Sequence, residues 1–386
     1  MRRVNEKGIK RGTASEEFRS SSRETPGFKP GEFHSPGACR IMDKQTIERV
    51  RTGLNDPRTG PETIALMLTG TCNLSCVYCR GGRIDDGRSN GKGSELSAEE
   101  LFGLFEDARN LKVREINIGG MRGEPFCRQD IRRIMRKIKE LGLTGSMTTN
   151  GSMLNGGLAA EMSGYGWDIL LLSLDAPFAG LQHSLRPAVN KKEYFPNITE
   201  FLDTLEKTSS KIRVLVNMVI TRHNYGYFPE MVKFVNKYKN IESLNILKLI
   251  DMGLPGYSDL QLDREQSAEF RQMLAACGQE KKVMYAGNWA VEENITGLSV
   301  GAEGAGCFTN YYILSIDANG DVLHCPQQYR VIPGLNIRNM PLRELWLNEL
   351  LSFRRGLARS ALCYDECCTI LKEQNKLIRG SVVPGE

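Results

Sequence analysis

The chain has 386 residues, 40% hydrophobic and 25% charged, enough for one large α/β domain and a smaller one. No apolar run approaches the roughly 18 residues that span a bilayer, and Met1-Arg2-Arg3 leads into polar residues where a signal peptide needs an apolar core. Eleven cysteines without an export signal point to a reducing cytoplasm, where grouped thiols serve as metal ligands more often than as disulfides.

The net charge of +5 arises entirely in the first 60 residues, which hold 13 Lys plus Arg against 8 Asp plus Glu; the rest balances at 38 against 38. Residues 1–40 are rich in Ser, Gly and Arg and lack hydrophobic periodicity, so they read as a basic, disordered arm. A solvated tail is the simpler expectation for it than a partner-docking or RNA-contacting arm; nucleic acid and membrane are not expected partners.

From Thr63 onward, short apolar runs alternate with amphipathic stretches. Thr63–Leu68, Glu115–Ile118, Gly145–Thr149, Ile169–Leu174, Arg213–Ile220 and Leu244–Ile250 read as buried strands bounded by turn residues. Between them, Ser97 and Glu100 form a capping box ahead of an apolar face at Leu101, Leu104, Phe105, Ala108 and Leu111. Arg128–Leu141, Gly157–Met162, Tyr194–Thr208 and Tyr227–Lys239 read as the other helices. Six β/α units imply parallel strands and a partial (β/α)6 TIM-like barrel over residues 60–250, with its site at the carboxyl ends of the strands.

The first strand runs into Cys72, Cys76 and Cys79, spaced C-x3-C-x2-C. Three such thiolates can hold three irons of a cubane and leave the fourth open to a chelating molecule. A zinc knuckle is the alternative, but no second Cys pair or His follows nearby. With Tyr78 before the last Cys, this segment resembles the radical S-adenosylmethionine (SAM) superfamily. The likeness continues in order through Ile116–Phe126 (INIGGMRGEPF), Thr148-Thr149-Asn150-Gly151, Leu172-Ser173-Leu174-Asp175 and Val216–Ile220.

That resemblance implies a [4Fe-4S] cluster on Cys72, Cys76 and Cys79 that binds SAM. The methionine amino group would meet Glu124 with Gly120 and Gly123; the segment departs from Gly-Gly-Glu-Pro, so which glycine lies against the methionine stays open. Tyr78 would sit near the adenine or pack in the loop. Asn150, Ser173 and Asn217 would complete the SAM site, Ser173 and Asn217 through the ribose or carboxylate, or else these two cap strand ends. An electron donor such as flavodoxin or ferredoxin is implied, and a radical abstracting hydrogen from substrate.

In the C-terminal third, Cys307 and Cys325 bracket Tyr312–Asp317, an Asn319-Gly320 turn and Asp321–His324, a hairpin that brings the two thiols near one another. With Cys363, Cys367 and Cys368 the segment 307–370 resembles the SPASM/twitch extension, a small β-hairpin/helix domain. Five cysteines suit one auxiliary [4Fe-4S] cluster, on Cys307, Cys325, Cys363 and one of Cys367 or Cys368; a structural zinc site is the alternative. Residues 251–306 connect the two parts, with Tyr257, Tyr285 and Trp289 as candidate cavity residues, and 371–386 form a tail. Cys39, Cys127 and Cys277 read as ordinary thiols.

A second cluster makes electron loss from a substrate radical convenient, so the implied chemistry is an oxidative modification of a peptide, protein or small molecule. The first 60 residues are too short and polar for the winged-helix leader-peptide domain of many peptide-modifying members. The competing classes are a zinc-stabilised binding protein and an iron-sulfur electron carrier.

Overall fold

All six expected strands form. They are β1 (Thr63–Leu66), β2 (Glu115–Ile118), β3 (Thr144–Thr149), β4 (Ile169–Ser173), β5 (Arg213–Ile220) and β6 (Ile241–Lys248). Each pairs in parallel with the next, as a partial TIM-like barrel requires. The computed structural model describes residues 44–56, 58–79, 95–119, 122–249, 255–277, 282–285, 307–326, 328–358, 375 and 378–381, all within the unit His34–Glu386. The 1–40 arm, Gly120, Trp289, Cys39, Cys363, Cys367 and Cys368 lie outside the described residues.

Alternation along each strand sorts side chains onto two faces. Ile64, Leu66, Ile116, Ile118, Met147, Leu170, Leu172, Val214 and Val216 belong to the main core. That core also takes in the apolar stripes of α2 (Ala98–Asn110), α3 (Ile131–Glu140), α4 (Gly156–Gly164), α6 (Phe195–Lys207) and α7 (Phe228–Asn236). The intervening residues face the other way. Ile169, Leu171 and Leu215 form a small separate cluster, and Asn117 donates to Ser146 (2.6 Å), which donates to Glu115 (2.5 Å). The barrel's inner face is therefore partly polar, as a binding interior needs.

The Ser97–Glu100 capping box is present, each side chain bonding the other's backbone N–H. Two further helices in this region, α1 (Lys44–Asn55) and α5 (Ala179–Leu185), went unrecognised in the sequence. The first lies at the border of the basic arm; the second is only seven residues long, too short to display a helical period.

The C-terminal third joins the same sheet. After α8 (Arg264–Cys277), β7 (Val283–Tyr285) extends the sheet beyond β6, while β8 (Ile313–Ile316) pairs in parallel with β1 on the opposite side. β9 (Asp321–Cys325) turns back antiparallel through Gly320, whose φ of +92° favours glycine. β10 (Gln328–Asn336) adds an edge strand with an irregular register. Pro333 and Gly334 interrupt its pattern and hide it from sequence inspection. The sheet order is β10-β9-β8-β1-β2-β3-β4-β5-β6-β7. The chain continues through α9 (Leu342–Glu344), a π-helical turn at Leu345–Glu349 and α10 (Leu350–Ala358). Trp346 is buried there and donates from Nε1 to the Thr59 carbonyl at 2.8 Å.

Candidate active site

Parallel pairing puts the carboxyl ends of β1 to β6 along one edge, and the loops leaving that edge carry the expected site residues. The cysteine loop after β1 is held from the side by residues 185–189. Val77 N–H donates to Leu185 (3.0 Å), Ser75 N–H to Pro187 (2.9 Å) and Val189 N–H to Asn73 (3.0 Å). Cys76 is buried, whereas Cys72 and Cys79 are half-buried. Burial raises the Cys72 thiol and pushes that of Cys76 up to about 12. Thiolate formation at this loop therefore depends on positive charge, from a metal or from the protein.

The segment after β2 supports the loop from below. Gly123 has φ +75°, and a Cβ there would stand 1.9 Å from the Thr69 carbonyl oxygen; only glycine permits this approach. Glu124 N–H donates to the Thr71 carbonyl at 2.8 Å. The Glu124 carboxylate is buried and accepts from Thr149 Oγ1 (2.7 Å), the Asn150 N–H (2.7 Å) and the Phe126 N–H (3.3 Å). Burial still dominates and pushes it up to about 7. Glu124 thus ties the cysteine loop to the end of β3, and its side chain is engaged by protein donors.

Asn150, just past β3, donates from Nδ2 to Asn73 Oδ1 (3.0 Å) and toward Cys72 Sγ (3.7 Å). Ser152 closes the cluster by donating to Asn150 Oδ1 (2.6 Å) and accepting from Asn73 Nδ2 (2.8 Å). Ser173, at the end of β4, is the register partner of Asn217 within β5, and Asn217 pairs in turn with Asn245. Asn245 Nδ2 donates to Asn217 Oδ1 at 2.8 Å. These three polar residues form a row across the mouth.

Tyr78 is placed by its neighbours: its hydroxyl donates to Asp175, and the Arg186 guanidinium lies 5.3 Å from its ring centroid. Sequence inspection missed Arg186, as well as Arg128, which donates to the Leu68 and Leu96 carbonyls and pairs with Asp130. It also set Cys127 aside; this thiol is held up to about 11 by burial, with Glu124 and Cys72 contributing. Nothing in local spacing links these residues to the cysteine loop; the fold alone assembles them.

The N–H donor aimed at Cys72 and the Arg186 charge near Cys76 fit thiolates bound to an iron-sulfur cluster. Among the described residues, no three His, Cys, Asp or Glu side chains converge to hold a single metal ion. A cavity of about 910 Å³, lined by Arg49, Arg58, Glu62 and Arg114 among others, lies at the amino ends of β1 and β2, away from the cysteine loop.

In the C-terminal part, Cys307 N–H donates to the Leu357 carbonyl (2.9 Å), and Asn375 Nδ2 points toward Cys307 Sγ (3.9 Å). Asn310 Nδ2 donates to the carbonyl of His324, the neighbour of Cys325 (2.7 Å). These bonds join the segments that carry the two cysteines.

The family model for the radical SAM superfamily matches residues 66–235. A probable GTP 3',8-cyclase of Sulfolobus acidocaldarius is 29% identical over half of the chain, which spans 58% of that protein's length. Mycofactocin maturase MftC of Mycobacterium ulcerans is 25% identical over 83% of the chain and 84% of its own length. In fold, Streptococcus suis SuiB bound to S-adenosylmethionine aligns with a TM-score of 0.57 at 17% identity, covering 90% of this chain and 77% of SuiB.

Proposed function

Because the chain belongs to the radical SAM superfamily, we propose that it cleaves SAM reductively and uses the resulting radical to modify a peptide oxidatively. The observation that carries this reading is the cysteine loop after β1, sharing one mouth with Asn150, Ser173 and Asn217. No described helix is long and apolar enough to cross a membrane.

Cys72, Cys76 and Cys79 would hold a [4Fe-4S] cluster with one open iron. When bound, it supplies the electron that breaks a carbon-sulfur bond of SAM to give methionine and a 5'-deoxyadenosyl radical. The chain's own residues shape that event. Asn150 and the 185–189 segment fix the loop, Glu124 locks the β2 and β3 ends beneath it, and the Ser173–Asn217–Asn245 row offers hydrogen bonds to the ribose or carboxylate. Such positioning holds the substrate carbon close to the radical and limits side reactions. The Glu124 carboxylate is taken up by protein donors, which favours the backbone around Gly123 over its side chain as the contact for the methionine amino group.

Cys307 and Cys325, with Cys363 and one of Cys367 or Cys368, would hold an auxiliary cluster that accepts an electron from the substrate radical. A peptide substrate is favoured over a nucleotide because the similarity to the maturase spans most of both chains, while that to the cyclase stops at half of this one. SuiB, similar in fold, has been solved bound to the precursor peptide SuiA. The test is incubation of reconstituted, reduced protein and SAM with short peptides encoded beside its gene, and with GTP in a parallel arm. Mass spectrometry is expected to find a peptide that has lost hydrogen; conversion of GTP alone would overturn the peptide reading.

A further inference from the structure

Behind Cys76 lies a polar network that the SAM contacts do not require. Asp175, two residues past the end of β4, is fully buried, and Arg186 is only 8% exposed. Arg186 donates to Asp175 from Nε (2.7 Å) and Nη2 (3.2 Å), while Tyr78 of the cysteine loop donates to the same carboxylate. Val219 N–H of β5 also donates to Asp175 (2.9 Å), so both carboxylate oxygens are occupied.

The guanidinium is not. Its Nη1 group makes no hydrogen bond among the described residues. Its backbone places the residue beside the cysteine loop. Arg186 sits between Leu185 and Pro187, whose carbonyls accept from Val77 and Ser75, the two neighbours of Cys76. The Arg186 guanidinium lies 5.3 Å from the ring centroid of Tyr78, which stands between Cys76 and Cys79 in the loop.

We propose that Arg186 is a positioning residue for the SAM-site cluster. Clamped by Asp175 and covered by Tyr78, it holds its charge beside the cysteine loop and sets how readily the cluster accepts an electron. This rests on the function proposed above. Reduction adds negative charge to the cluster, and a desolvated cation nearby stabilises the reduced form. A purely structural ion pair would leave the potential unchanged; buried pairs often contribute little to stability.

Two variants test this in the full-length protein. Arg186→Lys keeps a charge near Asp175 but loses the guanidinium fork. The double variant Asp175→Asn/Arg186→Gln removes both charges together and strands neither. Each is reconstituted anaerobically, assayed for iron, sulfide and thermal unfolding, and titrated potentiometrically with EPR detection without SAM. Both are expected to fold, and the loaded cluster to have a more negative midpoint potential than wild type, with the larger shift in the double variant. A variant that folds but takes up no iron at the SAM site shows a structural role instead and overturns the assignment. Unchanged potentials in loaded variants overturn it, while SAM cleavage by wild type leaves the proposed function standing. Failure of the wild type itself to bind a cluster overturns both.

Discussion

Gly123 shows how narrowly single residues define this site. Any side chain there meets the Thr69 carbonyl at 1.9 Å in a backbone conformation that disfavours it. Gly123→Ala is expected to destabilise the protein by more than about 1 kcal/mol and to lower iron uptake, readable by urea unfolding and iron analysis. Glu124 gives a pH test. Its carboxyl is raised by burial from 4.5 to about 7, so its contribution to stability is complete below about pH 4.5 and is lost as pH rises through about 7. For the apo chain, stability falls across that window and Glu124→Gln flattens the fall; an equal slope in the variant would sink the assignment. The cysteine triplet was legible in the sequence because its spacing is local. Arg186 was not, since its link to Tyr78 and Asp175 exists only once the loop after β1 meets the segment after β4.

The elements that build the barrel were readable for the same local reason. Apolar runs such as Ile169–Ser173 are short, continuous and bounded by turns, and the α2 capping box announces its own start. Ser97→Ala should destabilise the protein by about 1 kcal/mol while leaving iron content unchanged, a control that separates helix capping from the site. By contrast β7 spans three residues and β10 carries Pro333 and Gly334. Neither displays a period, and both are strands because neighbouring backbone is available to pair with. Glu100 reaches beyond its own helix, accepting from Arg338 Nε at 2.6 Å, so the start of α2 also anchors the segment that follows β10.

Across the whole molecule, the direct pairing of β8 with β1 means that the cysteine loop and the Cys307–Cys325 hairpin hang from one continuous sheet. The two cysteine groups were recognisable separately; that they share a sheet was not, because parallel pairing between residues 63–66 and 313–316 leaves no local signature. Division of labour follows from this arrangement. Cys325→Ala is expected to retain SAM cleavage but to form no modified peptide, as seen by parallel assays of 5'-deoxyadenosine and peptide mass. The most direct measurement is chromatographic detection of 5'-deoxyadenosine after anaerobically reconstituted, reduced protein is mixed with SAM. The account predicts its formation by the wild type and none by Cys76→Ala; intact SAM after incubation with a fully loaded, reduced wild-type protein would contradict it.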